Sequence, residues 1–321
     1  MKLLKIFSCL IAAACFLPPA HAQNDAWPSR PIKIITPSPV GVGSDAFARL
    51  YADQLSRELK VPVVVENRPG ALATIGTAAV AKAPADGYTL LFSTGNPFTM
   101  APFLLSKLPY NPNKDFIPIT QVLRGGSFIV ANKDVPVTNL RELVQMAKSS
   151  PGKVTFASYG SGSTAHIGFE LLQDAAGIEM LHVPYKQSAL PDVVSGQVML
   201  GWEPPASALP NIKGGRLRAI AYTGSSRSQV LPDVPTLAET FPGTELFSWA
   251  AFWVPAGTPP AIVMRLNTVI NDITNSPDTL KAIHNAGNEA IRSNSTETAE
   301  IIKREAESMG RLIKAKNIKL D

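Results

Sequence analysis

The chain is poor in cysteine: two in 321 residues, Cys9 and Cys15, both within the first 22 positions. That segment carries Lys2 and Lys5, an apolar run from Ile6 to Leu17 interrupted by Ser8, and Ala20-His21-Ala22 at its end. This is the pattern of a secretory leader with a small-residue cleavage site, and it is too short for a membrane span. A lipid anchor on Cys15 is disfavoured because Ala12 stands where a larger aliphatic residue is usual. A chain matured at Gln23 has no cysteine, so disulfides, thiol catalysis and cysteine metal ligands are excluded.

Other scarcities narrow the function further. No later apolar run approaches the ~20 residues of a membrane helix. The net charge of +5 falls to +3 once Lys2 and Lys5 leave, and there is no basic run interleaved with aromatics, so nothing points to nucleic acid. The four histidines show no H-E-x-x-H spacing, which argues against a metal site. No G-x-S-x-G elbow exists; "GSGS" offers Ser161 and Ser163 outside that frame, and His166 follows too closely to serve as a triad base. The expectation is a protein that is not an enzyme and needs no cofactor.

What the chain does have is 28 prolines and 22 glycines punctuating alternating strand and helix patterns. Removing 22 of 321 positions leaves 299 residues, enough for two domains. "IKIIT" (Ile32 to Thr36) predicts a buried strand, and Phe47, Leu50, Tyr51, Leu55 and Leu59 recur as on one helix face. Val61 to Asn67, a helix around Thr74 to Ala81 and a strand from Tyr88 to Ser93 follow. From about Arg124 the pattern restarts: strands at Ser127 to Asn132, Lys153 to Ser158, Glu179 to Tyr185, Gln197 to Trp202 and Leu217 to Thr223. Between them stand a helix capped by Thr138 and another from Thr164 to Ala176, ended by Gly177.

After Pro242, a strand from Phe247 to Pro255 and a closing helix striped by Ala299, Ile302, Ala306, Met309 and Ile313 remain, too little for a third sheet. The fold class predicted is α/β: two lobes, each a doubly wound, mostly parallel sheet flanked by helices. Lobe 1 takes residues 23–123 plus 243–321 and lobe 2 takes 124–242, so the chain crosses twice and forms a hinge.

Two similar loops stand out, "SPVGVGSDA" (Ser38 to Ala46) and "SYGSGSTA" (Ser158 to Ala165), each between a strand and a helix. The backbone N–H groups of Gly43, Ser44 and Asp45, and of Gly162, Ser163 and Thr164, then lie at helix N-termini, unpaired and at the positive end of the macrodipole. Such loops bind anions, and glycine lets oxygens approach the main chain. In open sheets ligands sit beyond the strands' carboxyl ends, so facing lobes aim both loops at one cleft. "GVGSDA" also fits a dinucleotide fingerprint with Glu66 as the ribose-binding acid, but Pro37 to Val40 separate the strand from the first glycine and an exported protein meets little NAD.

Strings spread along the chain resemble the Bug-type periplasmic solute receptors of tripartite tricarboxylate transport systems. They are "WPSRPIKII" (Trp27 to Ile35), "VENRPGA" (Val65 to Ala71), "ADGYTLL" (Ala85 to Leu91), "HVPYK" (His182 to Lys186), "LPDVPTLAE" (Leu231 to Glu239) and "PAGTPP" (Pro255 to Pro260). The resemblance implies a two-lobed clamshell of the periplasmic binding protein type that binds a small carboxylate and delivers it to membrane permease subunits; a periplasmic monomer is the expectation. It implies that Pro37 to Asp45 and Ser158 to His166, including Gly160 and Ala165, hold a ligand carboxylate, with Asp45 organising its loop. Ser38 replaces a common aromatic, Val42 a common glycine, and Leu72-Ala73 a Gly-Gly pair, so the pocket wall is reshaped. The room left by Ser38 favours a dicarboxylate or an aromatic acid.

Further candidates end neighbouring strands. Thr94 and Asn96 offer polar contacts, Phe98 a ring for stacking or packing, and Tyr185 a hydroxyl for a ligand oxygen. Glu203 either meets a ligand donor or caps the helix after Pro204-Pro205; the cost of burying a carboxylate beside an anion favours a peripheral place. His166, in the first turn of the second loop's helix, would suit a ligand carboxylate as a cation, but neutral packing is the favoured reading, and His182 falls on the core side of its strand by alternation. A ligand-sensing subunit for a signalling partner would share all of this chemistry.

Overall fold

The computed structural model describes residues 27–41, 43–185 and 188–320. The expected leader, Val42, Lys186 and Gln187 lie outside the described residues.

The first half runs β1 (Ile32–Thr36), α1 (Gly43–Leu59), β2 (Val63–Asn67), α2 (Thr74–Ala81), β3 (Thr89–Thr94), α3 (Asn96–Thr99), α4 (Ala101–Leu104) and β4 (Phe116–Gly125). The chain continues with β5 (Phe128–Asn132), α5 (Leu140–Ser149), β6 (Thr155–Ser158), α6 (Thr164–Ala176), β7 (Leu181–Pro184), α7 (Leu190–Ser195), β8 (Leu200–Glu203), α8 (Pro205–Lys213), β9 (Leu217–Tyr222) and α9 (Leu237–Thr240). It closes with β10 (Ser248–Pro255), α10 (Pro260–Thr274), α11 (Pro277–Asn285), β11 (Glu289–Ala290) and α12 (Ser295–Ala315).

These strands form two sheets, ordered β11-β4-β10-β3-β1-β2 and β7-β6-β8-β5-β9, so the fold is the expected two-sheet α/β architecture. Both sheets are mixed rather than mostly parallel. Parallel pairing is confined to β1 with β2 and β3, and to β6 with β7 and β8. The strands that bring the chain across, β4, β5, β9 and β10, pair antiparallel. A strand entering from the other sheet needs no helical crossover, so nothing forces it parallel.

Strand alternation sorts the first sheet's core. Ile32, Ile34, Leu90, Phe92 and Phe252 pack with Tyr51, Leu55, Leu266 and Ile270 on one face, while Ile35, Leu91, Trp249 and Trp253 pack with Phe98 on the other. Each fully buried aliphatic or Phe side chain contributes about 1.5–3 kcal/mol. Phe98 lies flat on Trp253, centroids 4.5 Å apart, so it belongs to this packing. In the second sheet Ile129, Phe156, Leu200 and Ile220 pack with Phe169 and Leu172.

Three features depart from expectation. β4 was not anticipated: Pro118 falls near its start, and burial on both faces removes the alternation that marks a strand. Pro118 is accommodated beside a register shift opposite Phe252 and Trp253. The cap of α5 is Asn139, which accepts from the Glu142 amide, while Thr138 donates its amide and hydroxyl to the Glu142 carboxylate. Finally, α12 does not serve the first sheet alone. Its Met309, Leu312 and Ile313 join the second sheet's cluster, and Lys316 just beyond pairs with Asp174 of α6 at 2.7 Å.

The two sheets are joined where β4 passes into β5. The Gly126 amide donates to the Tyr222 hydroxyl at 2.8 Å, and Ser127 and Thr223 exchange bonds of 2.9 Å through the Thr223 hydroxyl and the Ser127 carbonyl.

Candidate functional site

Parallel pairing puts the carboxyl ends of β1, β2 and β3 on one edge of the first sheet, and those of β6, β7 and β8 on one edge of the second. The loops that leave these edges carry the candidate residues. The edges meet where the Asn96 side-chain amide donates to the Thr164 hydroxyl at 3.4 Å.

The first loop is built around Asp45. Its buried carboxylate accepts from the Gly41 amide at 2.9 Å, the Asn67 side-chain amide at 2.7 Å and the Arg49 guanidinium at 3.1 Å. Asn67 also donates to the Ser38 carbonyl at 3.0 Å and accepts from Arg49 at 3.0 Å. Burial alone raises the Asp45 pKa, but these donors and the Arg49 charge outweigh it and hold the carboxyl below its usual range. Its oxygens are thereby spent on the loop and do not confront an incoming anion. The Ser44 hydroxyl donates to Ser38 Oγ at 2.6 Å, and Gly43 begins α1. Val42 is not among the described residues.

Beside this loop, Ala71, Leu72 and Ala73 are consecutively left-handed, with φ of 45°, 53° and 69°. Each costs about 1–2 kcal/mol for a residue with a Cβ. The turn is held by Thr74, whose amide and hydroxyl both bond the Ala71 carbonyl, and Leu72 reaches the cluster of the second sheet. Glu66, the acid that a dinucleotide fingerprint would use, is instead paired with Lys33 at 2.7 Å and with Arg68.

The second loop is more self-satisfied than expected. Gly162 is buried and its amide donates to His166 Nδ1 at 3.0 Å; the Ser163 amide donates to the Gly160 carbonyl at 3.1 Å, and the Gly160 amide to Ser158 Oγ at 3.1 Å. Gly162 and Ser163 therefore do not offer free amides, and Gly162 serves the loop's shape, with φ of +74°. The donors left by helix geometry are the first-turn amides of Thr164 and Ala165, with the Ser163 and Thr164 hydroxyls beside them. Ser163 caps α6 by accepting from the His166 amide at 3.4 Å.

Tyr185 and Glu203 end the flanking strands. Tyr185 does not present a free hydroxyl: it donates to Asp192 at 2.6 Å, which with burial pushes its pKa up to about 12. Glu203 is buried and accepts from the Tyr159 hydroxyl at 2.9 Å and the Ser207 hydroxyl at 2.7 Å; burial drives its pKa up despite both bonds. It ties the second loop, through Tyr159, to the start of α8. Thr94, partly exposed, is the last residue of β3 and leads to Asn96.

Sequence reasoning missed Asn67, Tyr159 and Ser207, polar residues whose partners lie on other elements. His182 stacks on buried Phe156 from the core side, as its alternation suggests, but spacing did not show that its Nε2 also lies 2.7 Å from Ser158 Oγ. Among the described residues, no three histidine, cysteine or acidic side chains stand close enough to hold a metal ion.

Known proteins resemble this chain in sequence and fold. The model of the family described as "Tripartite tricarboxylate transporter family receptor" matches residues 47–318. BugT of Bordetella pertussis is 35% identical over 323 residues, covering 99% of this chain and 98% of its own. A Rhodopseudomonas palustris protein solved with adipate is 30% identical with a TM-score of 0.81, over 92% of this chain and all of its own. MatC from the same species, with bound malate, is 28% identical with a TM-score of 0.77, over 89% of this chain and 100% of its own. The chain, two mixed sheets with a loop-bearing edge on each, belongs to the tripartite tricarboxylate transporter receptor family.

Proposed function

We propose that the protein is an exported receptor that binds a small dicarboxylate between its two strand-end edges and passes it, chemically unchanged, to membrane permease subunits. The observation that carries this reading is the Asn96–Thr164 bond, which brings the polar ends of β3 and α6 from separate sheets into contact. A ligand of a few carbons placed there touches both lobes.

The first-turn amides of α1 and α6 supply donors at positive helix ends for carboxylate oxygens. Adipate and malate, the ligands of the two solved relatives, each carry two carboxylates, which supports the class. Closure follows from differential affinity: the ligand makes both sets of contacts only when the lobes are together. Periplasmic placement rests on the leader pattern of Met1 to Ala22, and no described helix is long and apolar enough to cross a membrane.

A thermal-shift panel of the chain from Gln23 tests the reading, using mono-, di- and tricarboxylates, aromatic acids, amino acids and NAD. Ligand at one hundred times its dissociation constant stabilises the native state by about 2.7 kcal/mol. A rise of several degrees with dicarboxylates is expected; a rise with NAD alone, or with nothing in the panel, contradicts it.

A further inference from the structure

The second loop rests on a pair of imidazoles. The rings of His166 and His182 lie face to face, centroids 4.0 Å apart and 8° from parallel, and His182 is also near-parallel to Phe156 at 5.0 Å. Each ring touches the loop at a different atom. His166 Nδ1 accepts the Gly162 amide at 3.0 Å, and His182 Nε2 contacts Ser158 Oγ, which donates to the Gly160 carbonyl at 3.0 Å.

The first contact fixes a protonation state. A nitrogen that accepts an amide N–H carries no proton, so His166 is the neutral tautomer with its hydrogen on Nε2. Protonating Nδ1 would set two donors against each other and break the Gly162 bond. The surroundings are divided: Glu170, one turn along α6, lies 3.8 Å from His166 Nε2 and favours a cation, but Lys316, 2.7 Å from Asp174, also lies 3.8 Å from Glu170 and competes for it. The positive end of α6 opposes a charge, and the stacked ring of His182 on β7 covers one face of His166 from solvent. Burial, more than Glu170 can offset, lowers the His166 pKa, and burial with the neighbouring imidazole lowers that of His182 to about 4.

We propose that His166 is a positioning residue of the ligand site: its neutral Nδ1 holds the Gly162 amide, and so the second loop, in its carboxylate-binding form, and acid releases that hold. His182, lying on its face, adds to the burial that keeps His166 neutral. This rests on the carboxylate reading, because Gly162 leads directly into the Thr164 and Ala165 amides. His166 need not touch the ligand. The loop loosens as the pH falls below the ordinary histidine value of about 6.5 toward the lowered one.

The test is adipate affinity by calorimetry for the mature chain and for His166→Asn and His166→Phe, from about pH 7.5 to 5. Asparagine puts a carbonyl oxygen near the place of Nδ1 and does not titrate; phenylalanine keeps a ring against His182 and removes the acceptor. At neutral pH, His166→Phe should bind at least about tenfold more weakly, and His166→Asn within about threefold of wild type. Adipate's own titration is common to all three, so the ratio of wild-type to His166→Asn affinity isolates the imidazole; it should fall at least about threefold on acidification.

Wild-type affinity in His166→Phe, or a pH profile in His166→Asn parallel to wild type, overturns the proposal while leaving the carboxylate reading intact. If neither adipate nor malate gives heat with any of the three, the carboxylate reading fails and the proposal with it. Should His166→Phe not fold, the comparison of pH profiles between wild type and His166→Asn decides alone.

Discussion

The side-chain amide of Asn96, at the start of α3, donates to the hydroxyl of Thr164, the first residue of α6, at 3.4 Å. It links the strand-end edge of the first sheet to that of the second. The bond is long, so it is worth little to stability and more as a marker of where the lobes meet.

Asn96→Ala and Thr164→Val should each leave the melting temperature within a degree or two and weaken ligand binding by an amount matching about 0.5–1.5 kcal/mol. Their double mutant should bind no more weakly than the poorer single mutant, because each removes the same contact. Full additivity in a double-mutant cycle contradicts a shared role.

Asp45 holds its loop as a carboxylate. Replacing it by asparagine turns one acceptor oxygen into a donor facing Gly41, Asn67 or Arg49, and should cost about 1–3 kcal/mol in urea unfolding, together with most of the ligand affinity. Because its folded pKa is depressed, the stability it contributes is present above the unfolded value of about 3.9 and is lost as pH falls through the folded value. Asp45→Asn should therefore lose less stability than wild type in that acid window.

Glu203 shows the opposite sign. Its folded pKa is raised, so the stability of the protonated form is fully present below the unfolded value of about 4.3 and is lost as pH rises through the folded one. Glu203→Gln cannot ionise, and its melting temperature relative to wild type should climb between about pH 4.5 and 7.5. A constant difference across that range contradicts a buried, titrating carboxyl.

Much of this was legible in the sequence. The twin loops, the helices from Thr74 to Ala81 and Thr164 to Ala176 and most strands follow from periodicity, capping and glycine placement. β4 was not, because a strand buried on both faces with a proline near its start carries no alternation. At the site, spacing located the loops but not which donors were already spent. Gly162 illustrates the limit: its amide goes to a histidine one helical turn later, and Tyr185 and Glu203 are engaged with Asp192, Tyr159 and Ser207, pairings that depend on how the elements dock.

Two glycines at positive φ separate backbone freedom from packing. A methyl group on Gly41, φ +85°, meets nothing, whereas on Gly162 it falls 2.7 Å from Leu320 Cδ1 and 3.0 Å from Leu104 Cδ1. Gly41→Ala should cost about 1–2 kcal/mol from the backbone alone, and Gly162→Ala measurably more, as chemical denaturation will show. Equal costs contradict the close packing of the chain's end against the second loop. A Gly162→Asp variant should destabilise the fold as well as weaken binding, since its larger side chain meets the same two leucines.

The most direct test of the account follows backbone amide resonances of the labelled mature chain as adipate is added. Shared binding by both loops predicts that the amides of Ser44 and Asp45 on α1 and of Thr164 and Ala165 on α6 shift together, with one dissociation constant. Shifts confined to one loop, or absent from both while adipate binds elsewhere, contradict a ligand held between the two strand-end edges.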